Sequence, residues 1–113
     1  MGNQLIAPSI LSADFSDLKS DIYMVNDSEA DWFHIDIMDG VFVPNISFGM
    51  PVLKSINEYA TKTLDVHLMI VNPEKYIEKF AELGSNILTI HYEVSKDTLS
   101  DSIKEIKKYG MKA

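Results

Sequence analysis

The sequence predicts an α/β fold in which parallel strands alternate with helices. Three observations carry that expectation. Short apolar runs of strand length alternate with longer stretches of helical periodicity, four times over. Ser9, Asp36, His67 and His91 recur at intervals of 27, 31 and 24 residues, the pitch of a strand-plus-helix unit rather than of a solenoid repeat. Three histidines, His34, His67 and His91, each fall near the carboxyl end of an apolar run. In parallel α/β folds, reactive groups gather at the C-terminal ends of the strands.

The elements follow in order. Residues 5–10 read as the first strand, and Asp14 can cap a helix carrying Leu18, Ile22 and Val25 on one face. Residues 31–37 form the second strand. The loop at residues 38–47 holds Gly40, Pro44 and Asn45 and is longer than a tight turn. Pro51 suits the first turn of a helix whose buried face is Val52, Leu53, Ile56 and Tyr59. Residues 63–68 are the third strand. Asn72-Pro73-Glu74 starts the next helix and Gly84 stops it. Residues 86–90 are the fourth strand, followed by a helix with Leu99, Ile103 and Ile106 on one face and Gly110 at its end. Residues 111–113 read as the beginning of another strand. Right-handed crossovers between such strands give a parallel sheet.

Composition excludes several function classes. The chain has 113 residues, 46% hydrophobic and 24% charged, enough for one modest core. Ten lysines, no arginine and 17 acidic residues give a net charge of −7, which argues against a nucleic-acid surface. A small anion remains open, because backbone N–H groups at a helix N-terminus hold phosphate without basic side chains. Cysteine is absent, so disulfides and thiolate chemistry are out, and a reducing cytoplasm is compatible. No apolar stretch approaches the roughly 18 residues of a membrane span. Residues 1–12 lack the charged start and cleavage site of a secretory signal. A cytoplasmic location with no membrane partner is expected.

Alternation along each strand sorts the site residues. Trp32, His34, Asp36 and Met38 share one face of the second strand, opposite Phe33, Ile35 and Ile37. Asp65, His67 and Met69 oppose Val66 and Leu68. Ile87, Thr89 and His91 oppose Leu88 and Ile90. The apolar faces suit a layer of helices. The other faces turn polar toward their C-terminal ends, as a barrel interior does beneath an active site. Two imidazoles with carboxylates suit a divalent zinc, iron(II), manganese or cobalt ion. His91 stays open between a core histidine and a residue that supports the site from behind. Asp39-Gly40 reads as a turn, Asp65 as a support, and residues 104–108 as a solvated helix face.

Three motifs then appear in order: Ala-Pro-Ser-Ile-Leu-Ser-Ala-Asp at residues 7–14, His-Ile-Asp-Ile-Met-Asp-Gly at 34–40 with Phe-Val-Pro-Asn-Ile-Ser-Phe-Gly at 42–49, and Asp-Val-His-Leu-Met at 65–69. Together they resemble the ribulose-phosphate 3-epimerases. That family folds as a TIM (β/α)8 barrel, and the resemblance covers about its first half. The chain is therefore expected to be a half-barrel of about four βα units, residues 1–113 forming the N-terminal half of a ribulose-phosphate-binding barrel. The resemblance implies interconversion of D-ribulose 5-phosphate and D-xylulose 5-phosphate with a divalent metal, commonly zinc or iron. It implies His34, Asp36 and His67 as metal ligands and Asp36 as one of two acid/base carboxylates. It implies Ser9 and His67 in contact with substrate, and Met38 and Met69 packed around the reacting carbons. The family's second catalytic aspartate and its Gly-rich phosphate segments lie in the later half. Negligible activity of these residues alone is expected, with assembly into a homo-oligomer or membership of a larger polypeptide. Two alternatives stay open: a hexulose-phosphate epimerase such as one acting on allulose 6-phosphate, and an inert half-barrel.

Overall fold

A computed structural model describes residues 3–113. Its centre is a parallel three-stranded sheet in the order β1-β2-β3, built from β1 (Trp32–Met38), β2 (Thr63–Met69) and β3 (Ile87–Thr89). Helices α1 (Leu18–Asp27), α2 (Met50–Tyr59), α3 (Ile77–Glu82) and α4 (Leu99–Lys108) alternate with the strands. The sheet is not closed, and the arrangement is that of a partial TIM barrel.

Strand alternation decides what is inside. Along β1 and β2 every second residue is buried. Phe33, Ile35, Ile37, Leu64, Val66, Leu68 and Leu88 form the sheet's contribution to the core. The helices cover that face with Ile22 and Val25 from α1, Leu53 and Ile56 from α2, Ile77 and Phe80 from α3, and Ile106 from α4. Each fully buried side chain of this size contributes about 1.5–3 kcal/mol. Val52 and Tyr59, expected on the buried face of α2, are half-buried at its rim. Leu99 and Ile103 are likewise half-buried on α4, where Ser102 takes a fully covered place beside Ile106.

The first expected strand does not form a strand. Residues 5–8 run beside β1, with Asp31 and Trp32 N–H groups donating to Ile6 O at 2.8 and 3.2 Å and His34 N–H to Pro8 O at 3.0 Å. One parallel bridge, Ser9 to His34, joins the two. Pro8 has no N–H to give, and the chain then curls into a short 3-10 turn at Ile10–Ser12. Nothing among the described residues pairs with the outer side of this segment, and Leu5 and Ile6 are more than half exposed. At the opposite side of the sheet, Leu88 N–H donates to Lys112 O and Lys112 N–H to Asn86 O, each at 2.9 Å. The residues expected to begin a further strand thus bridge in parallel to Ile87.

Two helix starts fall later than expected. Asp14 caps a turn before α1, accepting from Ser16 N–H at 2.9 Å and Ser16 Oγ–H at 2.5 Å, and α1 itself begins at Leu18. Asn72 has φ 50°, Pro73–Lys75 is a 3-10 turn, and α3 begins at Ile77. The N-terminal ends of the strands are tied by side-chain amides. Asn26 donates to Tyr59 O at 2.8 Å and accepts from Thr61 N–H at 2.9 Å, while Asn86 accepts from Leu64 N–H at 2.8 Å. This leaves the C-terminal ends for chemistry.

Candidate metal centre

The parallel register places Asp36 opposite His67 and His34 opposite Asp65. All four point to the face without helices, because each lies an odd step from the buried residues of its strand. Asp36 Oδ1 is the focus. It lies 2.9 Å from His34 Nε2 and 2.9 Å from His67 Nδ1. His34, Asp36 and His67 each offer a ligand atom within 4.8 Å of the others, a group able to hold a metal ion. The expected convergence of these three side chains on one face is what the structure shows.

The donor set fits a cation. Asp65 Oδ2 stands 2.8 Å from His34 Nδ1, and a carboxylate only accepts, so the ring proton belongs on Nδ1. Nε2 of the neutral ring then presents a lone pair to Asp36 Oδ1. Two electron pairs that close are held together by a proton or by a metal. With a proton there, burial works against the charged ring, but the hydrogen bond to Asp65 and the negative charge of Asp36 outweigh it and hold the His34 pKa above the ordinary histidine value. A dication serves the same place with more charge. No hydrogen bond among the described residues engages Asp36 Oδ2.

The surroundings of the group come from several segments. Met38 and Met69 are paired in register at the ends of β1 and β2, half-buried on the same face. Ser9 is bridged to His34, and its Oγ accepts from Leu11 N–H at 3.2 Å, so the structure places it as the cap of the 3-10 turn beside the site. His91 follows β3 and stands with Nε2 2.6 Å from Nε2 of His67, behind the ligand group rather than in it.

Asp39-Gly40 is a turn, as expected, and also a tie. Asp39 Oδ1 accepts from Val41 and Phe42 N–H at 2.8 and 2.9 Å, and Oδ2 accepts from Val71 N–H at 2.8 Å. Partial burial favours the neutral acid, but these three donors outweigh it and lower its pKa. The loops after β1 and β2 are joined in this way. Sequence reasoning missed Ser47 as a fastener. Its Oγ donates to Asp36 O at 2.7 Å and accepts from Met38 N–H at 3.0 Å, clamping the loop to the end of β1. A serine three residues after Pro44 in a long loop was the available signal. Phe42 and Glu93, which pack and pair with His91, were also missed. A cavity of about 300 Å³, lined by Met38, Asp39, Met50, Ile70, Lys75 and Tyr76, lies on the helix side of the strand ends and includes none of the three ligand residues. The His34–Asp36–His67 group lies on the open face instead.

Comparison with known proteins identifies the family. The ribulose-phosphate 3 epimerase family model matches residues 5–113. The chain belongs to the ribulose-phosphate 3-epimerase family. A ribulose-phosphate 3-epimerase of Synechocystis sp. is 49% identical over 112 residues, covering 98% of this chain and 49% of that protein. The enzyme of that name from Bacillus subtilis is 46% identical over 108 residues, 96% of this chain and 49% of the relative. The ribulose-phosphate 3-epimerase of Oryza sativa subsp. japonica named as the cytoplasmic isoform is 45% identical over 107 residues, 95% and 47%. The chain spans about half the length of the curated relatives it matches. The matched residues of this epimerase-family chain include every side chain of the His34–Asp36–His67 group. No helix among the described residues is long and apolar enough to cross a membrane.

Proposed function

We propose that residues 1–113 form the N-terminal half-barrel of a ribulose-phosphate 3-epimerase, interconverting D-ribulose 5-phosphate and D-xylulose 5-phosphate by proton transfer at C3. The observation that carries this is the meeting of His34, Asp36 and His67 at the C-terminal ends of β1 and β2, in a chain of that family. His34 Nε2, Asp36 Oδ1 and His67 Nδ1 would hold one divalent ion, and zinc, iron(II), manganese and cobalt all suit two imidazoles and a carboxylate. Such an ion, when bound, supplies positive charge for the oxygen on which negative charge develops.

The other steps belong to this chain's side chains. Inverting a carbon beside a ketone needs a proton removed on one face and another delivered to the opposite face. Asp36 is the acid/base group on one face, working through Oδ2 while Oδ1 stays with the histidines. Ser9, by turning its hydroxyl from Leu11 toward the open face, hydrogen-bonds substrate, and His67 contacts it from β2. Met38 and Met69 pack around the reacting carbons. Their thioethers are polarizable and carry no exchangeable proton to quench a carbanionic intermediate. Asp65 is engaged by His34, so the described residues offer one acid/base carboxylate at the site. The second carboxylate and the phosphate cradle are supplied from further polypeptide, and this reading carries with it a sugar-phosphate partner, assembly as a homo-oligomer and a cytoplasmic setting.

The test uses a complete barrel in which these 113 residues replace the matching half of the Synechocystis relative. Incorporation of deuterium at C3 of ribulose 5-phosphate in D2O, followed by NMR, reads proton transfer directly. The chimera is expected to exchange and to form xylulose 5-phosphate. Asp36→Asn should lower both by about a hundredfold or more, the scale of a positioned acid/base group. Exchange at the wild-type rate in Asp36→Asn would remove Asp36 from its role. Turnover of allulose 6-phosphate in preference to ribulose 5-phosphate would move the reading to the hexulose enzyme.

A further inference from the structure

His91 is used by none of the steps above, yet its ring is held from three segments. Nε2 is 2.6 Å from His67 Nε2 on β2. Nδ1 is 3.3 Å from Glu93 Oε2 in the 3-10 turn Tyr92–Val94. The His67 and His91 rings stack with centroids 4.9 Å apart and planes at 27°, and Phe42 from the loop after β1 packs on His91 at 4.9 Å and 53°. A histidine that merely filled space would not need this alignment of both ring nitrogens.

Hydrogen-bond valence gives the alignment a consequence. The Glu93 carboxylate, 3.3 Å from Nδ1, can only attract a hydrogen there, so it favours the tautomer of neutral His91 that carries its hydrogen on Nδ1. His91 Nε2 then carries a lone pair and can only accept, and His67 must donate from Nε2. A neutral His67 with its hydrogen on Nε2 has one bare nitrogen left. That is Nδ1, the atom 2.9 Å from Asp36 Oδ1. The same logic runs from Asp65 through His34, where the outer nitrogen is Nδ1 and the bare one Nε2. The two arms therefore aim two lone pairs at one oxygen.

We propose that His91, backed by Glu93, is a positioning residue that holds His67 in the Nε2–H form with Nδ1 turned to the cation. This rests on reading His34, Asp36 and His67 as metal ligands. Outer partners of this kind fix the tautomer and orientation of a ligating histidine, and losing one commonly weakens metal binding 10–100-fold. The two arms are unequal. Asp65 contacts His34 directly with its side chain 15% exposed, whereas Glu93 is 65% exposed and acts through a second ring. Glu93 should matter less than His91, because solvent screens an exposed charge.

Zinc affinity of the 113-residue chain, read by competition with a chromophoric chelator, and the visible spectrum of the cobalt(II)-loaded chain test the proposal. His91→Phe keeps a ring to stack on His67 and pack against Phe42 but removes the acceptor. It should weaken zinc about tenfold or more and alter the cobalt bands. His91→Gln offers a carbonyl oxygen to His67 Nε2–H and should recover most of the loss. Glu93→Gln should cost a few-fold at most. His34→Ala is the control for the metal site itself. If His34→Ala abolishes binding while His91→Phe matches wild type in affinity and spectrum, the positioning role is wrong and the metal reading stands. If His91→Phe and His91→Gln lose affinity equally with unchanged cobalt bands, His91 is packing alone and the proposal fails. A wild type that binds no better than His34→Ala ends the metal reading and this inference with it.

Discussion

The two oxygens of Asp36 stand in different surroundings. Oδ1 meets a nitrogen of His34 and one of His67 at the same 2.9 Å, and Oδ2 is left open. The division arises from the parallel register, which sets His67 directly across from Asp36 and lets His34 reach it from the same strand. His34 is the sensitive member. In metal-free protein its raised pKa belongs to the paired, protonated ring. A group whose folded pKa is raised contributes stability that is present below the unfolded value and lost as pH rises through the folded one. Asp65→Asn should lower the His34 pKa toward the ordinary value in proton NMR titration. The stability advantage of wild type over Asp65→Asn should be largest near pH 5–6.5, around the ordinary histidine pKa of about 6.5, and should shrink as pH rises further. An unchanged His34 titration in Asp65→Asn would show that Asp65 is not its partner. Saturating zinc should abolish the difference in His34 titration, since a ligating nitrogen carries no proton.

At the scale of elements, local punctuation marked where helices stop better than where they start. Gly84 and Gly110 follow α3 and α4 with φ 92° and 84°, the left-handed conformation that side chains disfavour. They differ in surroundings. A Cβ on Gly84 would stand 2.2 Å from Asn57 Oδ1, while one on Gly110 would meet nothing within 4 Å. Gly110→Ala should cost about 1–2 kcal/mol from backbone strain alone. Gly84→Ala carries the same strain plus displacement of the Asn57 side chain, and urea unfolding should show it to be the more costly of the two. Equal costs would mean that Asn57 moves away freely. Starts were less legible because 3-10 turns precede α1 and α3, and Pro8 and Pro73 permit such turns as readily as an α-helical or strand beginning. The apolar run at residues 5–10 has strand composition, but a strand needs a neighbour on at least one side along its length. Here β1 and Asp31 just before it supply three backbone bonds and one bridge.

Across the whole molecule, helices cover one face of the sheet and leave the other half-exposed. Trp32, His34, Asp36, Met38, Thr63, Asp65, His67 and Met69 all lie on that second face. Beside it run two partly paired edges, at Ile6 and Pro8 on one side and at Lys112 on the other. Open strand edges and an incompletely covered face favour association. Sedimentation of the purified 113-residue chain should therefore show a species larger than a monomer, with the larger fraction rising with concentration. A monomer at all concentrations, showing near-normal epimerase turnover, would overturn the half-barrel account and require a second base among these residues.

The alternation of strands and helices, the sorting of each strand into an apolar and a polar face, and the stops at Gly84 and Gly110 follow from the sequence by itself. Their causes are local: side chains alternate across a strand, helices repeat every 3.6 residues, and glycine accepts positive φ. The motifs at residues 7–14, 34–49 and 65–69 added the family, and with it the expectation that His34, Asp36 and His67 form a ligand group. Other features required the tertiary structure. Whether residues 5–10 complete a strand depends on what lies beyond them, not on their composition. Whether His91 is core, ligand or support depended on its distance to His67, 24 residues earlier, and on Phe42 and Glu93 closing around it. The fastening of Asp36 by Ser47 and the joining of two loops by Asp39 are of the same kind. Such contacts are set by how far each crossover carries the chain before it returns. A periodic pattern shows which face a residue occupies, and packing alone brings two faces within hydrogen-bonding distance.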